Sequence, residues 1–311
     1  MTLLIYVAAP TAVSIFRVQV YGLSLSFAVI MLVLLLMYCV VNIDQGRQKM
    51  LADRELKTAS EIQEGMLPNI FPAFPQRSEF DIYAVMDPAR EVGGDFYDFF
   101  LVDDDHLCIE IADVSGKGVP AALFMMASKI ILANNAMMGK SPAEILKDAN
   151  SSIFVNNSMD LFVTVWLGIL EISTGRLTAA SAGHEYPVIR KPGSDYELYR
   201  DPHGFVLGTF EDEDYGQYEI QLKPGSKIFV YTDGIPEAMD SERNQFGLDR
   251  MIASLNREPD AGPERLLANV REDVRSFVRD AEQFDDITML CLEYRGAGEV
   301  QEHIDEEGAS E

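Results

Sequence analysis

Basic residues are scarce in this chain. Across 311 residues, 25 Lys and Arg stand against 50 Asp and Glu, a formal charge of −25 at pH 7. Nucleic acid is held by clustered Lys and Arg, so it is excluded as a partner. Phosphate groups are not excluded, because divalent cations reverse the local sign of an acidic site. Cysteine is equally sparse. Cys39, Cys108 and Cys291 lie far apart in apolar settings without a Cys-x-x-Cys, which excludes a disulfide framework and reads as three reduced, buried thiols. With four histidines and no His/Cys set, zinc is excluded as well. Gly139-Lys140-Ser141 ends like a P-loop, but Asn134 stands where its first Gly belongs. Gly93-Gly94-Asp95 continues into Phe96-Tyr97, not into the acidic-aromatic pair of a diguanylate cyclase. No internal repeat is present.

Charge is missing altogether between residues 18 and 43. Residues 23–43 form one apolar run that, as a helix rising about 1.5 Å per residue, is roughly 30 Å long and matches a hydrocarbon core. Arg47, Lys49, Arg54 and Lys57 follow, which places that flank in the cytoplasm. Residues 2–16 also lack charge but are short and interrupted by Pro10. They either complete a hairpin of two spans turning near 17–22 or lie in the interface. One or two transmembrane helices thus make residues 1–43 a membrane anchor. Residues 44–66 have helical composition, with Leu56, Ala59, Ile62 and Met66 as an apolar stripe for a second copy or for the chain's own domain. Pro68, Pro72 and Pro75 end that helix, so 44–79 is a linker. An acidic tail, 295–311, is expected to be disordered.

Between them, residues 80–294 read as one domain. Strands are expected at 80–86, 96–101, 107–112, 161–172, 176–181, 186–190, 218–222, 227–232 and 286–293. Helices are expected at 118–138, 142–156, 248–256 and 263–282. Blocks of strands separated by helix pairs indicate an α+β fold with antiparallel sheets covered by helices. Trp166 and the pairs Met125-Met126 and Met137-Met138 read as core.

Carboxylates recur where strand meets loop: Gly94-Asp95, Ala112-Asp113-Val114-Ser115-Gly116, Thr232-Asp233-Gly234 and Asp285-Asp286. Taken singly, each is an ordinary turn or cap. Four rim aspartates beside glycines together suit a hard divalent cation, magnesium or manganese. His184, alone in Ala-Gly-His, reads as structural or as lining the rim rather than as a ligand.

The motifs Ala-Arg-Glu-Val-Gly-Gly-Asp-Phe-Tyr-Asp (89–98), Ala-Asp-Val-Ser-Gly-Lys-Gly-Val-Pro-Ala-Ala-Leu (112–123), Ser-Ala-Gly-His-Glu-Tyr-Pro (181–187), Tyr-Thr-Asp-Gly-Ile-Pro-Glu-Ala (231–238) and Phe-Asp-Asp-Ile-Thr (284–288) occur in this order. In that order they resemble the SpoIIE/RsbU-type branch of the metal-dependent protein phosphatases over roughly 55–294. The resemblance implies an α-β-β-α sandwich of two antiparallel sheets with two Mn²⁺ or Mg²⁺ ions at one edge. It also implies hydrolysis of phosphoserine or phosphothreonine on a cytosolic protein, often an anti-anti-sigma-like regulator, and control through dimerisation of the helix before the domain. Matched by position, Asp95, Asp113, Asp233 and Asp285 are the implied metal-binding aspartates, with Asp286 in place of Asp285 if the register slips by one. The carbonyl of Val114 is an implied backbone ligand, and Arg90 an implied phosphate clamp. Ser115 stands where animal-type relatives carry a histidine, the candidate general acid. Two ions of this kind lower the pKa of a shared water, so no protein nucleophile is required. Consistent with that, the chain has no Cys-x5-Arg, and Asp103-x-Asp105 lacks the Thr that a phosphoaspartate motif would place at Leu107. The competing reading is a catalytically silent module that binds phosphoproteins.

Overall fold

A computed structural model describes residues 19–20 and 23–296. The expectations for 2–16 and for most of the acidic tail lie outside the described residues. The chain divides into two units, 1–59 and 60–311.

In the first unit, Gln19–Val20 and Leu23–Ser24 pair as a short antiparallel ladder. Helix α1, Leu25–Met66, follows without a break. Phe27, Met31, Leu32, Leu35, Leu36, Val40 and Ile43 are all exposed around its circumference. A helix apolar on every side has no water-facing surface, and this one is long and apolar enough to cross a membrane. Cys39 is exposed on it rather than buried as expected.

The second unit is built on two sheets. In chain order its strands are β1 (Phe80–Asp87), β2 (Phe96–Leu101), β3 (His106–Val114), β4 (Val163–Glu171), β5 (Arg176–Ala182), β6 (Val188–Arg190), β7 (Tyr196–Leu198), β8 (His203–Gly204), β9 (Gln217–Gln221), β10 (Ser226–Tyr231) and β11 (Ile287–Tyr294). The helices are α2 (Val119–Ala136), α3 (Pro142–Asn156), α4 (Gly247–Arg257) and α5 (Pro263–Val278). One sheet runs β8–β5–β4–β3–β2 with β9 also on β5, and the other runs β1–β11–β10–β6–β7. All pairings are antiparallel except β8 with β5.

Strand periodicity separates the layers. On β10, Ile228 and Val230 join the core shared with the larger sheet, while Phe229 and Tyr231 join Met251, Leu255, Leu266 and Val270 of α4 and α5. On β11, Leu290 and Leu292 alternate with Met289 and Cys291 in the same way. The larger sheet is covered by α2 and α3 through Met125, Leu132, Ile145 and Leu146. The result is the α-β-β-α sandwich. α2 is apolar enough to pass for a membrane span, but Ala121, Met125, Leu132 and Ala136 are buried in this core.

Some details differ from the sequence expectation. β7 and β8 are three- and two-residue edge strands flanked by Gly193 and Pro202, too short to show a period. α5 stops at Val278, where Arg279 takes a left-handed φ of 55° and its N–H donates to the Arg275 carbonyl. Met137 and Met138 are exposed at the end of α2, beyond the turn that faces the sheet, and are not core. Arg295, the first residue of the expected tail, is held in place: its N–H donates to the Glu79 carbonyl and its guanidinium to Asp81.

Candidate active site

Antiparallel pairing brings the motifs to common rims. Phe96 lies opposite Ala112, so Asp95 at the start of β2 flanks Asp113 near the end of β3. Tyr231 lies opposite Met289, so Asp233 just past β10 flanks Asp285 and Asp286 just before β11. Side chains then tie the two sheets together. Thr232 Oγ1 donates to Asp95 Oδ2 (2.7 Å), and the Thr288 N–H donates to Thr232 Oγ1 (3.1 Å). The loop backbones touch: a Cβ on Gly234 would sit 1.8 Å from the Asp286 carbonyl oxygen, so no other residue fits there.

The adjacent carboxylates Asp285 and Asp286 do different work. Asp286 is buried and consumed by backbone: Oδ1 accepts from the Ala89 N–H and Oδ2 from the Gly94 N–H, both at 2.7 Å, with the Asp95 N–H at 3.5 Å. It pins the loop that carries Asp95. Asp285 is half-buried, accepts from the Asp286 N–H (3.0 Å) and faces Lys117 Nζ at 2.9 Å. Lys117 also donates to the Phe284 carbonyl and lies over the Phe284 ring.

The cluster is electrostatically frustrated. Burial, then the neighbouring Asp113 and Asp286, push Asp95 well above the carboxylate range. Burial and Asp233 raise Asp113 to about 7, and burial and Asp285 raise Asp233 to about 6. Lys117 opposes the rise at Asp233. Carboxylates crowded this way are stable as anions only when cations neutralise them. The donors are all oxygen, which suits Mg²⁺ or Mn²⁺. Among the described residues no three His, Cys, Asp or Glu side chains close into a finished metal cage.

The remaining candidates separate. Val114 ends β3 and donates to the Gly94 carbonyl (3.3 Å), which places it against the same loop. Arg90 is exposed on that loop and makes no ion pair among the described residues. Ser115 is engaged with Phe162: its N–H donates to the Phe162 carbonyl (2.9 Å) and its Oγ accepts from the Phe162 N–H (2.8 Å). Asp103 accepts from the N–H groups of Asp105 and His106 in a surface turn, apart from the chemistry.

His184 is structural. It is buried and held neutral, its pKa lowered to about 3 by burial. Its Nδ1 lies 2.9 Å from Thr164 Oγ1 and its Nε2 lies 3.1 Å from the Tyr231 carbonyl oxygen. The carbonyl can only accept, so Nε2 carries the proton and Nδ1 accepts from Thr164. This bridge joins β4 to the end of β10, one residue before Thr232. Thr232, Thr288 and Lys117 were not foreseen from the sequence. Each lies inside one of the quoted motifs, and that adjacency was the available signal.

Two antiparallel sheets between helix pairs, with aspartates gathered at one rim, define a PP2C-type fold. The SiaA PP2C domain of Pseudomonas aeruginosa shares it at a TM-score of 0.70 and 23 % identity, covering 80 % of this chain and 98 % of that one. The chain belongs to the SpoIIE family: the family model described as stage II sporulation protein E matches residues 103–295. It is 29 % identical over 240 residues to the phosphoserine phosphatase RsbU of Bacillus subtilis (strain 168), covering 76 % of this chain and 69 % of RsbU. It is 29 % identical over 268 residues to protein IcfG of Synechocystis sp. (strain ATCC 27184 / PCC 6803 / Kazusa), covering 76 % of this chain and 41 % of IcfG. The chain thus spans less than half of IcfG and about two thirds of RsbU. Phosphatases with this fold are metal-dependent in general, with Mn²⁺ or Mg²⁺.

Proposed function

We propose that this chain is a membrane-anchored, metal-dependent phosphatase that hydrolyses phosphoserine or phosphothreonine on a cytosolic signalling protein of the anti-anti-sigma kind. The observation that carries the reading is the convergence of Asp95, Asp113, Asp233 and Asp285 from four strand ends, with Lys117 as the cation among them. Asp95, Asp113, Asp233, Asp285 and the Val114 carbonyl would hold two Mn²⁺ or Mg²⁺ ions. When bound, these supply a water of lowered pKa and positive charge opposite the phosphoryl oxygens.

The chain's own residues do the rest. Asp286 fixes the Ala89–Asp95 loop so that the Asp95 carboxylate stays at the rim, and Thr232 orients that carboxylate through its hydroxyl. Lys117 faces Asp285 and offsets part of the negative charge gathered at the rim. Arg90, exposed on the same loop, would meet phosphate oxygens. Beside Asp285 and Gly234 opens a recess of about 200 Å³ whose lining mixes Arg275 and Arg279 with Glu237, Glu282 and Asp285.

Within this reading residues 1–43 are the anchor, 44–79 the linker, 80–294 the phosphatase domain and 295–311 the acidic tail. The Arg47–Lys57 flank supports a domain facing the cytoplasm. The linker stripe Leu56, Ala59, Ile62 and Met66 supports a homodimer. A silent phosphoprotein-binding module is disfavoured by charge, since bare clustered aspartates repel phosphate. The test is phosphate release from a phosphoserine protein with and without Mn²⁺. A catalyst turns over and loses activity in Asp113→Asn; a binding module retains the phosphoprotein and releases nothing.

A further inference from the structure

The last turns of α1 make an unusual contact within the second unit. Gln63 is 4 % exposed, on a helix whose neighbours Ile62 and Glu64 are exposed. Its side-chain amide pairs with the backbone of Gly93 in both directions: Nε2 donates to the Gly93 carbonyl (2.7 Å), and Oε1 accepts from the Gly93 N–H (3.0 Å). Gly93 lies two residues before Asp95. On its other side a Cβ would meet Asp286 Oδ2 at 2.4 Å, so Gly93 is gripped between Gln63 and Asp286. The chain after Gln63 is also anchored. Leu67 is buried in the core, the Pro68 carbonyl accepts from the Tyr97 hydroxyl (2.9 Å), and the Phe71 ring lies 4.4 Å from that of Tyr83.

Two clamps of opposite character therefore hold the loop that delivers Asp95. Asp286 comes from the domain and takes the Gly94 N–H. Gln63 comes from the helix and satisfies both polar groups of Gly93, which have no other partner among the described residues. A side-chain amide is suited to this, because it offers a donor and an acceptor side by side as a neighbouring strand does. Glutamate has no donor when ionised, and leucine has neither.

We infer that Gln63 is a positioning residue for the metal site: by completing the hydrogen bonds of Gly93 it sets the backbone that presents Asp95. This rests on the metal-dependent reading above. Residues that orient ligands without touching the metal typically contribute about 10- to 100-fold in metal affinity.

The test uses the full chain in detergent, with Gln63→Leu, Gln63→Glu and, as an exposed neighbour, Glu64→Ala. Mn²⁺ binding is read by electron paramagnetic resonance of the free ion, and amide exchange by mass spectrometry over residues 89–98. Gln63→Leu is expected to weaken Mn²⁺ binding by about 10- to 100-fold and to speed exchange at 93–95. Gln63→Glu, which keeps the acceptor for the Gly93 N–H, should fall between Gln63→Leu and wild type and serves if the leucine variant does not fold. Glu64→Ala should match wild type. Wild-type Mn²⁺ affinity in a folded Gln63→Leu overturns the positioning role. Unchanged exchange at 93–95 overturns the clamp itself. A wild-type chain that binds no Mn²⁺ overturns the metal reading and the positioning role with it, while exchange still reads the clamp separately.

Discussion

Asp285 and Asp286 are chemically identical neighbours, and the structure assigns them unequal weights that a denaturation experiment can separate. Asp286→Ala removes a buried acceptor from two backbone N–H groups at 2.7 Å and leaves both donors unsatisfied. Charge-assisted bonds of this kind are worth about 1.5–3 kcal/mol each, so the loss is about 3–6 kcal/mol. Asp285→Ala removes an ion pair with Lys117 in which both side chains are 30 % exposed. Pairs this open contribute about 0–1 kcal/mol. The substitution also relieves the repulsion that raises Asp113 and Asp233. In a domain of this size 1 kcal/mol moves Tm by about 2–4 °C. With EDTA present, Asp286→Ala should therefore lower Tm by about 6–24 °C and Asp285→Ala by about 4 °C at most. Adding Mn²⁺ should then raise the Tm of wild type and leave Asp285→Ala nearly unmoved, because a ligand is missing. Equal losses in EDTA, or a larger loss for Asp285→Ala, would refute the division of labour.

Three further outcomes are expected. Glu110 is fully buried opposite Asp98, both of its oxygens lack partners, and burial followed by Asp98 raises its pKa, so wild type must take up a proton there on folding. That cost grows as pH rises above the unfolded carboxylate range, so Glu110→Gln should gain stability relative to wild type between pH 4 and 7; a pH-independent difference in Tm would contradict this. His184 is neutral in the fold with a pKa near 3, so its contribution to stability is full above the unfolded value of about 6.5 and is lost as pH falls toward 3. Its ring resonances should show no titration between pH 5 and 8, and a midpoint inside that range would contradict the buried bridge. Finally, inserting one residue near Asp53 rotates the linker stripe by about 100°, whereas seven residues nearly restore it. If the stripe couples copies of the helix, only the single insertion changes phosphatase rate several-fold; equal rates make the helix a tether.

The motifs made the rim legible in sequence, because a glycine beside an aspartate at the end of an apolar strand marks a carboxylate at a sheet edge. Strands with full alternation, such as β10 and β11, were equally plain. What the pattern does not carry is the direction of a side chain. Asp285 and Asp286 occupy consecutive positions, and only the three-dimensional approach of the Ala89–Asp95 loop decides which is consumed by backbone. Gln63 was hidden for a similar reason. On a helix with an imperfect stripe a lone glutamine reads as solvent-facing, and its partner lies 30 residues away in a loop without periodicity. β7 and β8 were missed because two or three residues cannot display a period of two.

The central claim is that carboxylates from four strand ends act together as a metal-dependent phosphatase site. It is tested most directly by phosphate release from a phosphoserine protein, measured for the full chain after chelation, after Mn²⁺ is restored, and in Asp113→Asn with its fold verified by Tm. The account predicts no release after chelation, recovery with Mn²⁺, and no recovery in the variant. Turnover that persists in EDTA, or a folded Asp113→Asn as active as wild type, would contradict it.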